Sequence, residues 1–361
     1  MLPSEASSRM AKRKHYHPIG GLFTHSERRE KVARKLTALD RLNQSIDWEA
    51  FRPVLEQNLD YKITPGEISP QGGRPPYDIV LMFKILILQK AHALSDDECE
   101  HQILDRTSFQ RFLGLEHEGR IPDAKTIWKF RERLGAEGLE ALFAAFEGLL
   151  HEHGLLLKTG KIIDASFVDV PRQHNTREEN EQLQSGQIPA TWSAKPALQR
   201  QKDPDARHTQ KNGEKHYGYK NHLKVDASTK LIESYTVTPA SVHDSQALSE
   251  LLDERDAGIT LYADSAYRGE AIEAALSDLG IESQIHERAY RNTPLRPRQK
   301  QRNRRKSRIR ARIEHIFGHQ SWCYEAHLIR TIGKVRAWLQ IGLGNLLYNF
   351  SRFTFLGHRM S

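Results

Sequence analysis

The chain has 361 residues, 38% of them hydrophobic, with a formal net charge of +8 and a pI of about 9.3. Its two cysteines, Cys99 and Cys323, lie far apart and outside any metal-ligand spacing, which excludes a disulfide framework and a cysteine-built zinc site and fits a reducing cytoplasm. The longest apolar run, Ile79 to Leu88, is broken by Lys84 and is far shorter than the roughly 20 residues of a membrane span, so no membrane partner is expected. The excess of base points to an acidic partner, nucleic acid above all.

Residues 1–28 are polar and irregular and are expected to form a flexible N-terminus. From Glu30 to about Leu59 the pattern is helical and charged. "GGRPPYD" (72–78) is a loop punctuated by Gly and Pro. Ile79 to His92 then reads as a buried helix, and shorter helices follow at Asp96–Leu104 and Ser108–Leu113. In "IPDAKTIWKFRERLG" (121–135), Asp123 can cap a helix and Gly135 can end it. Ile127, Phe130 and Leu134 share one face, while Lys125, Lys129 and Arg133 line another edge. Such a helix is either the reading helix of a helix-turn-helix or an ordinary surface helix. Ala136–His153 is a further amphipathic helix, so residues 29–155 are expected to be a helical DNA-binding domain.

The character changes at Gly160. "KIIDASFVDV" (161–170) is strand-like, and "YGYKNHLKVD" (217–226) alternates, with Tyr219, Leu223 and Val225 on one face and Lys220, His222 and Lys224 on the other. "LIESYTVTP" (231–239) can return as its antiparallel partner. A helix (Gln246–Asp256), a strand (Ile259–Asp264), a helix (Arg268–Leu279) and a strand (Ile281–His286) come next. A long basic segment and two helical stretches, Ser307–Phe317 and about Ile329–Phe350, close the chain. The order predicts an α/β fold with a mixed sheet flanked by helices over 158–355. Residues 171–216 show almost no apolar periodicity and read as an insertion or long loop between the first two strands.

Carboxylates fall at informative places. In the expected order the first strand is central and carries Asp164; the fourth lies beside it and ends at Asp264. A late helix, "SRIRARIEHIFG" (307–318), has an apolar stripe of Ile309, Ile313, Ile316 and Phe317, with Glu314 beside it one turn after Arg310. Each acid has an ordinary reading: Asp164 as a turn or edge residue, with Asp169 a competitor on the same strand, Asp264 as a helix cap, and Glu314 as the i, i+4 partner of Arg310. Taken together they fit an all-oxygen site for a hard divalent cation. From Arg288 to Arg312 there are twelve Lys or Arg and no Asp or Glu. That stretch would draw a polyanion across such a site.

"IIDASFVDV", "YGYKNHLKVD", "ASVHDSQAL", "LYADSAYRG" and "RIEHIFG" stand in the order found in bacterial DDE transposases, and the chain resembles the insertion sequence five family of these. The helical part, through "RPPYD" and "KTIWKFRERLG", is similar to theirs, and the likeness spans roughly residues 55–350. It implies a ribonuclease-H-like core and an acidic triad of Asp164, Asp264 and Glu314, which selects Asp164 over Asp169. It further implies two magnesium or manganese ions for phosphoryl transfer, and double-stranded DNA partners, namely terminal inverted repeats and a target. Arg310, Arg308, Arg305 and Lys306 would contact phosphates, and Lys125, Lys129 and Arg133 would serve the N-terminal domain. Two departures stand out: Ser307 where the family signature has Tyr, and Ser321 where it has a later basic residue. A homodimer or higher oligomer in the cytoplasm, associated with the nucleoid, is expected because two DNA ends must meet. The competing readings are a catalytically silent DNA-binding repressor and a plain metal-dependent nuclease of the same fold.

Overall fold

The computed structural model describes residue 31 and residues 34–59, 75–115, 120–157, 160–211, 213–289 and 293–360. The expected flexible terminus, residues 1–28, and the first residues of the "GGRPPYD" loop lie outside these. Two compact units divide the chain, Met1–Thr37 and Ala38–Ser361. The second holds all the elements below.

Among the described residues from Ala38 onward, the α-helices that come first are α1 (Ala38–Ser45), α2 (Arg52–Leu59), α3 (Ile79–Ala91), α4 (Asp96–Asp105), α5 (Thr107–Leu113) and α6 (Ala124–Glu152). The apolar run of α3 leaves it no polar face, so it is buried nearly all round. Asp78 starts it by accepting the Leu81 N–H at 2.9 Å. Asp123 caps α6 by accepting the Thr126 N–H at 2.7 Å. Gly135, at φ 58° and ψ −171°, breaks that helix where the sequence predicts a stop. Ile127, Phe130 and Leu134 are buried as expected.

Six strands form one sheet: β1 (Lys161–Asp169), β2 (Arg207–Lys211), β3 (Glu214–Asp226), β4 (Ile232–Pro239), β5 (Thr260–Tyr262) and β6 (Glu282–Ser283). The order is β2-β3-β1-β5-β6, with β4 also paired to β3. β1, β3 and β4 run antiparallel in succession, and β5 and β6 run parallel to β1 and β5. The first strand is central, as the order of elements predicts.

The segment 171–216 is more structured than a long loop. It forms α7 (Arg177–Gln184), two single-turn helices and the extra strand β2. Two buried side chains organise it. The Trp192 indole N–H donates to Glu179 at 2.8 Å, and Asp203 accepts from the Tyr219 hydroxyl at 2.8 Å and the Gly333 N–H at 3.0 Å. Tyr219 and Gly333 lie outside the segment, and the Trp192–Glu179 bond is polar, so neither shows as apolar periodicity within it.

The polar face of β3 is likewise buried, because acids pair with it. Lys220 donates to Asp244 at 2.7 Å and Lys224 to Asp256 at 2.8 Å. The stretch expected as one helix, 246–256, falls within a series of single turns over 244–256 that deliver those two acids.

Three helices complete the unit: α8 (Glu270–Asp278), α9 (Pro297–Tyr324) and α10 (Lys334–Met360). The basic segment is helical from Pro297, ten residues before the predicted start. Pro suits a first turn, and Gln, Arg and Lys are good helix formers. The first half of α9 is largely exposed; Ile313 and Ile316 of its second half are buried, with Ile309 and Phe317 packed beside them. Residues 327–329 bridge β1 instead of opening α10: Asp169 N–H donates to the His327 carbonyl and Ile329 N–H to the Asp169 carbonyl. Phe350 of α10 packs among Trp48, Phe51, Phe83 and Phe146, joining the end of the chain to its first helices.

Candidate catalytic site

β1 and β5 set the site. Lys161 pairs with Leu261 and Ile162 with Tyr262. Asp164 and Asp264 each lie two residues beyond the last pair, so they sit at matching levels of adjacent parallel strands. Alternation puts them on the face opposite Ile163, Leu261 and Ala263, whose side chains form the core beneath α8. α9 crosses the other face, and its Arg310 and Glu314, one turn apart, approach the acids.

Asp164 is buried. Its Oδ1 accepts the Ala165 N–H at 2.9 Å and its Oδ2 accepts from the Arg310 guanidinium. Burial pushes its carboxyl above the usual range; Arg310 and the Ala165 N–H oppose that, and Asp264 adds to it. Arg310 also donates to Glu314 at 3.2 Å, and Glu314 is largely exposed. The Arg310 Nε is buried without a partner among the described residues. The guanidinium therefore lies between Asp164 and Glu314. Among the described residues, no three His, Cys, Asp or Glu side chains are gathered closely enough to hold one ion. The structure brings Asp164 and Asp264 into one field and leaves Glu314 outside it, on the far side of Arg310.

Two ordinary readings are true as well. Asp264 caps a single turn by accepting the Ala266 N–H at 2.7 Å, and Glu314 pairs with Arg310. Capping uses one oxygen and leaves the other available, so the ordinary role does not displace a chemical one. Asp169 is different: its carboxylate accepts the Tyr217 N–H at 3.2 Å at the far end of β1.

Three neighbours are not apparent from sequence. The buried Tyr267 hydroxyl has no partner among the described residues. Burial, then the charges of Asp164, Asp244 and Asp264, drive it well above the usual phenol range. Asp244, held by Lys220, is thus a further acid beside the pair. His286 lies next to Arg310 and Lys306, and its imidazole is lowered by burial and by their charges. The spacing of "ADSAY" and the "HD" of "ASVHDSQAL" are the only sequence signals for the first two. At both departures from the signature a serine meets a histidine. Ser307 Oγ is 3.3 Å from His286 Nε2, and Ser321 Oγ is 3.1 Å from His327 Nδ1.

The expected phosphate contacts differ in availability. Arg305 and Arg308 are exposed on α9, whereas the Lys306 ammonium is tied to the Ile285 carbonyl at 2.9 Å. On α6, Lys125 and Lys129 are exposed and Arg133 donates to the Leu59 carbonyl at 3.0 Å.

A sheet with three antiparallel strands, two parallel ones beside the first, and helices on both faces is a ribonuclease-H-like core. A family model described as a transposase DDE domain matches residues 156–350, over half of the chain, and the chain belongs to that family. It is a DNA transposase of the DDE type. A second model, described as a transposase domain, matches residues 26–133, completing the architecture typical of insertion sequence five transposases. Among solved structures, the chain is similar to a piggyBac transposase synaptic complex with hairpin DNA, at 11% identity over 91% of this chain and 76% of that one, with a TM-score of 0.42. It is also similar to a pre-cleavage Mos1 transpososome, at 11% identity over 92% and 96%, with a TM-score of 0.17. No helix among the described residues is long and apolar enough to cross a membrane.

Proposed function

We propose that this transposase cleaves DNA at the ends of its element and joins the freed strand to a target, with Asp164, Asp264 and Glu314 as its acidic triad. The shared level of Asp164 and Asp264 on adjacent parallel strands carries the reading. The donor set is all carboxylate, which suits magnesium or manganese. These three residues would hold two such ions, which supply charge neutralisation for phosphoryl transfer when bound.

The chain's own residues do the rest. The exposed base of α9, including Arg305 and Arg308, draws the phosphate backbone toward the acids, and affinity falls as salt rises. Arg310 neutralises Asp164 and Glu314 in the DNA-free chain and turns to a phosphate when DNA arrives. Lys125 and Lys129 extend the contact along α6 toward the terminal repeats. The working form is a dimer or larger assembly in the cytoplasm, because two DNA ends must be held together.

The test is a strand-cleavage assay on element-end duplex. Removing one ligand charge forfeits several kcal/mol of transition-state stabilisation, so Asp264→Asn should cut roughly a thousandfold more slowly. Wild-type cutting by that variant would refute the triad. Cutting without joining of a pre-cut end would reduce the protein to a nuclease.

A further inference from the structure

Gln89 and Lys90 lie in the last turn of the largely apolar helix α3, and Lys90 is only 9% exposed. No carboxylate pairs with it and no acceptor hydrogen-bonds it among the described residues. It lies against α10 at Gly344, where an added Cβ would come within 3.2 Å of its Cε. Burial alone pulls its ammonium down to about 8. Such a group is costly unless something outside the chain compensates it.

Lys90 opens into a cavity of about 360 Å³ between α3, α6 and the segment that joins α9 to α10. The other polar groups on its wall divide clearly. Arg131 and Asp96 satisfy each other through two bonds of 2.6 and 2.7 Å, with Gln89 bonded to both. Arg330 also lines the wall, and no acid among the described residues pairs with it. The Thr331 Oγ1 is buried without a partner among the described residues. Glu325 is the opposing charge, exposed and likewise without an ion pair among the described residues. A second hollow shares Arg131, Arg330 and Thr331 and continues past Trp128 on α6.

Buried Lys90 and exposed Arg330, neither with an ion-pair partner among the described residues, repel a metal ion; with the Thr331 hydroxyl they suit a multivalent oxyanion, which accepts several charge-assisted hydrogen bonds at once. We propose that this cavity binds a phosphate group through Lys90, Arg330 and the Thr331 hydroxyl. The site shares no residue with the Asp164 and Asp264 cluster. Its occupant is free phosphate or a phosphate of a DNA strand; the chemistry is the same.

The test uses the full chain at neutral pH. Inorganic phosphate is titrated by calorimetry against chloride of matched ionic strength, and a short duplex of arbitrary sequence by fluorescence anisotropy. Lys90→Met keeps the volume and removes a buried charge, so it should fold at least as stably as wild type. It should weaken phosphate binding roughly ten- to hundredfold, the loss expected for a hydrogen bond to a charged group. Arg330→Ala should act in the same direction and Glu325→Gln in the opposite one. Loss of phosphate and duplex affinity together assigns the site to a DNA strand. Loss of phosphate affinity with unchanged duplex affinity assigns it to the free ion. The proposal is overturned if wild type shows no phosphate binding beyond the chloride control, or if binding survives both Lys90→Met and Arg330→Ala.

Discussion

Under the proposed triad, the Arg310 guanidinium, paired with Asp164 and Glu314, would stand in for a bound cation, and Arg310→Ala tests that directly. Truncation leaves Asp164 with one hydrogen bond, from the Ala165 N–H. Breaking a buried ion pair by removing one partner costs about 3–5 kcal/mol. Here the Arg310 side chain is 22% exposed, and Asp164 can shed its charge by taking up a proton, so about 2–3 kcal/mol is expected. For a chain of this length that corresponds to a melting temperature lower by roughly 3–4 °C. A cation binding the vacated acids at a hundred times its dissociation constant returns about 2.7 kcal/mol. Manganese should therefore restore the variant almost completely, while wild type, which must first open the pair, responds less. Thermal melts with and without manganese, in the absence of DNA, provide the measurement. Equal melting of variant and wild type, or an equal manganese response in both, would refute the stand-in role.

Three further outcomes follow from buried groups. Lys161 sits between Asp226 and Glu233, and Lys161→Met takes its ammonium from both acids, leaving Asp226 to backbone N–H groups and Glu233 to Lys224 at 3.9 Å, so stability should fall by about 2–4 kcal/mol in urea melts; Glu233→Leu in the same chain should recover part of it, and no recovery would mean that the charges are not coupled. His222 is fully buried, bonded to Thr238 at 2.8 Å, and its imidazole is lowered to about 4, chiefly by burial. Its folded value lies below the unfolded one, so its stabilisation is complete above about 6.5 and is lost as pH falls toward 4, roughly 3 kcal/mol in all. His222→Gln should flatten that stretch of the stability-versus-pH curve, and an unchanged slope would rule the assignment out. Tyr267→Phe removes a buried hydroxyl without a partner among the described residues and should leave stability equal or raise it by about 1 kcal/mol. A clear loss would reveal a partner for that hydroxyl.

The sequence by itself determined most of the local elements and the central place of β1 between β3 and β5. Period and caps are short-range properties, so α3, the Asp123 cap, the Gly135 break and the strand pair β3–β4 were legible from neighbouring residues. Chain order and strand handedness then left few topologies, which is how Asp164 and Asp264 could be matched across a hundred residues. Charge pairing was not legible, because a lysine on a strand carries the same letter whether water or a distant carboxylate meets it. Only the tertiary structure decided that Lys220 and Lys224 turn inward to Asp244 and Asp256, that Trp192 and Asp203 fold the insertion, and that Phe350 packs among the first helices. It also decided that Arg310, whose sequence neighbour is Glu314, reaches across to Asp164. The physical reason is the same in each case: burial makes an unpaired charge or amide costly, and its partner comes from wherever packing brings the chain together, not from the adjacent sequence.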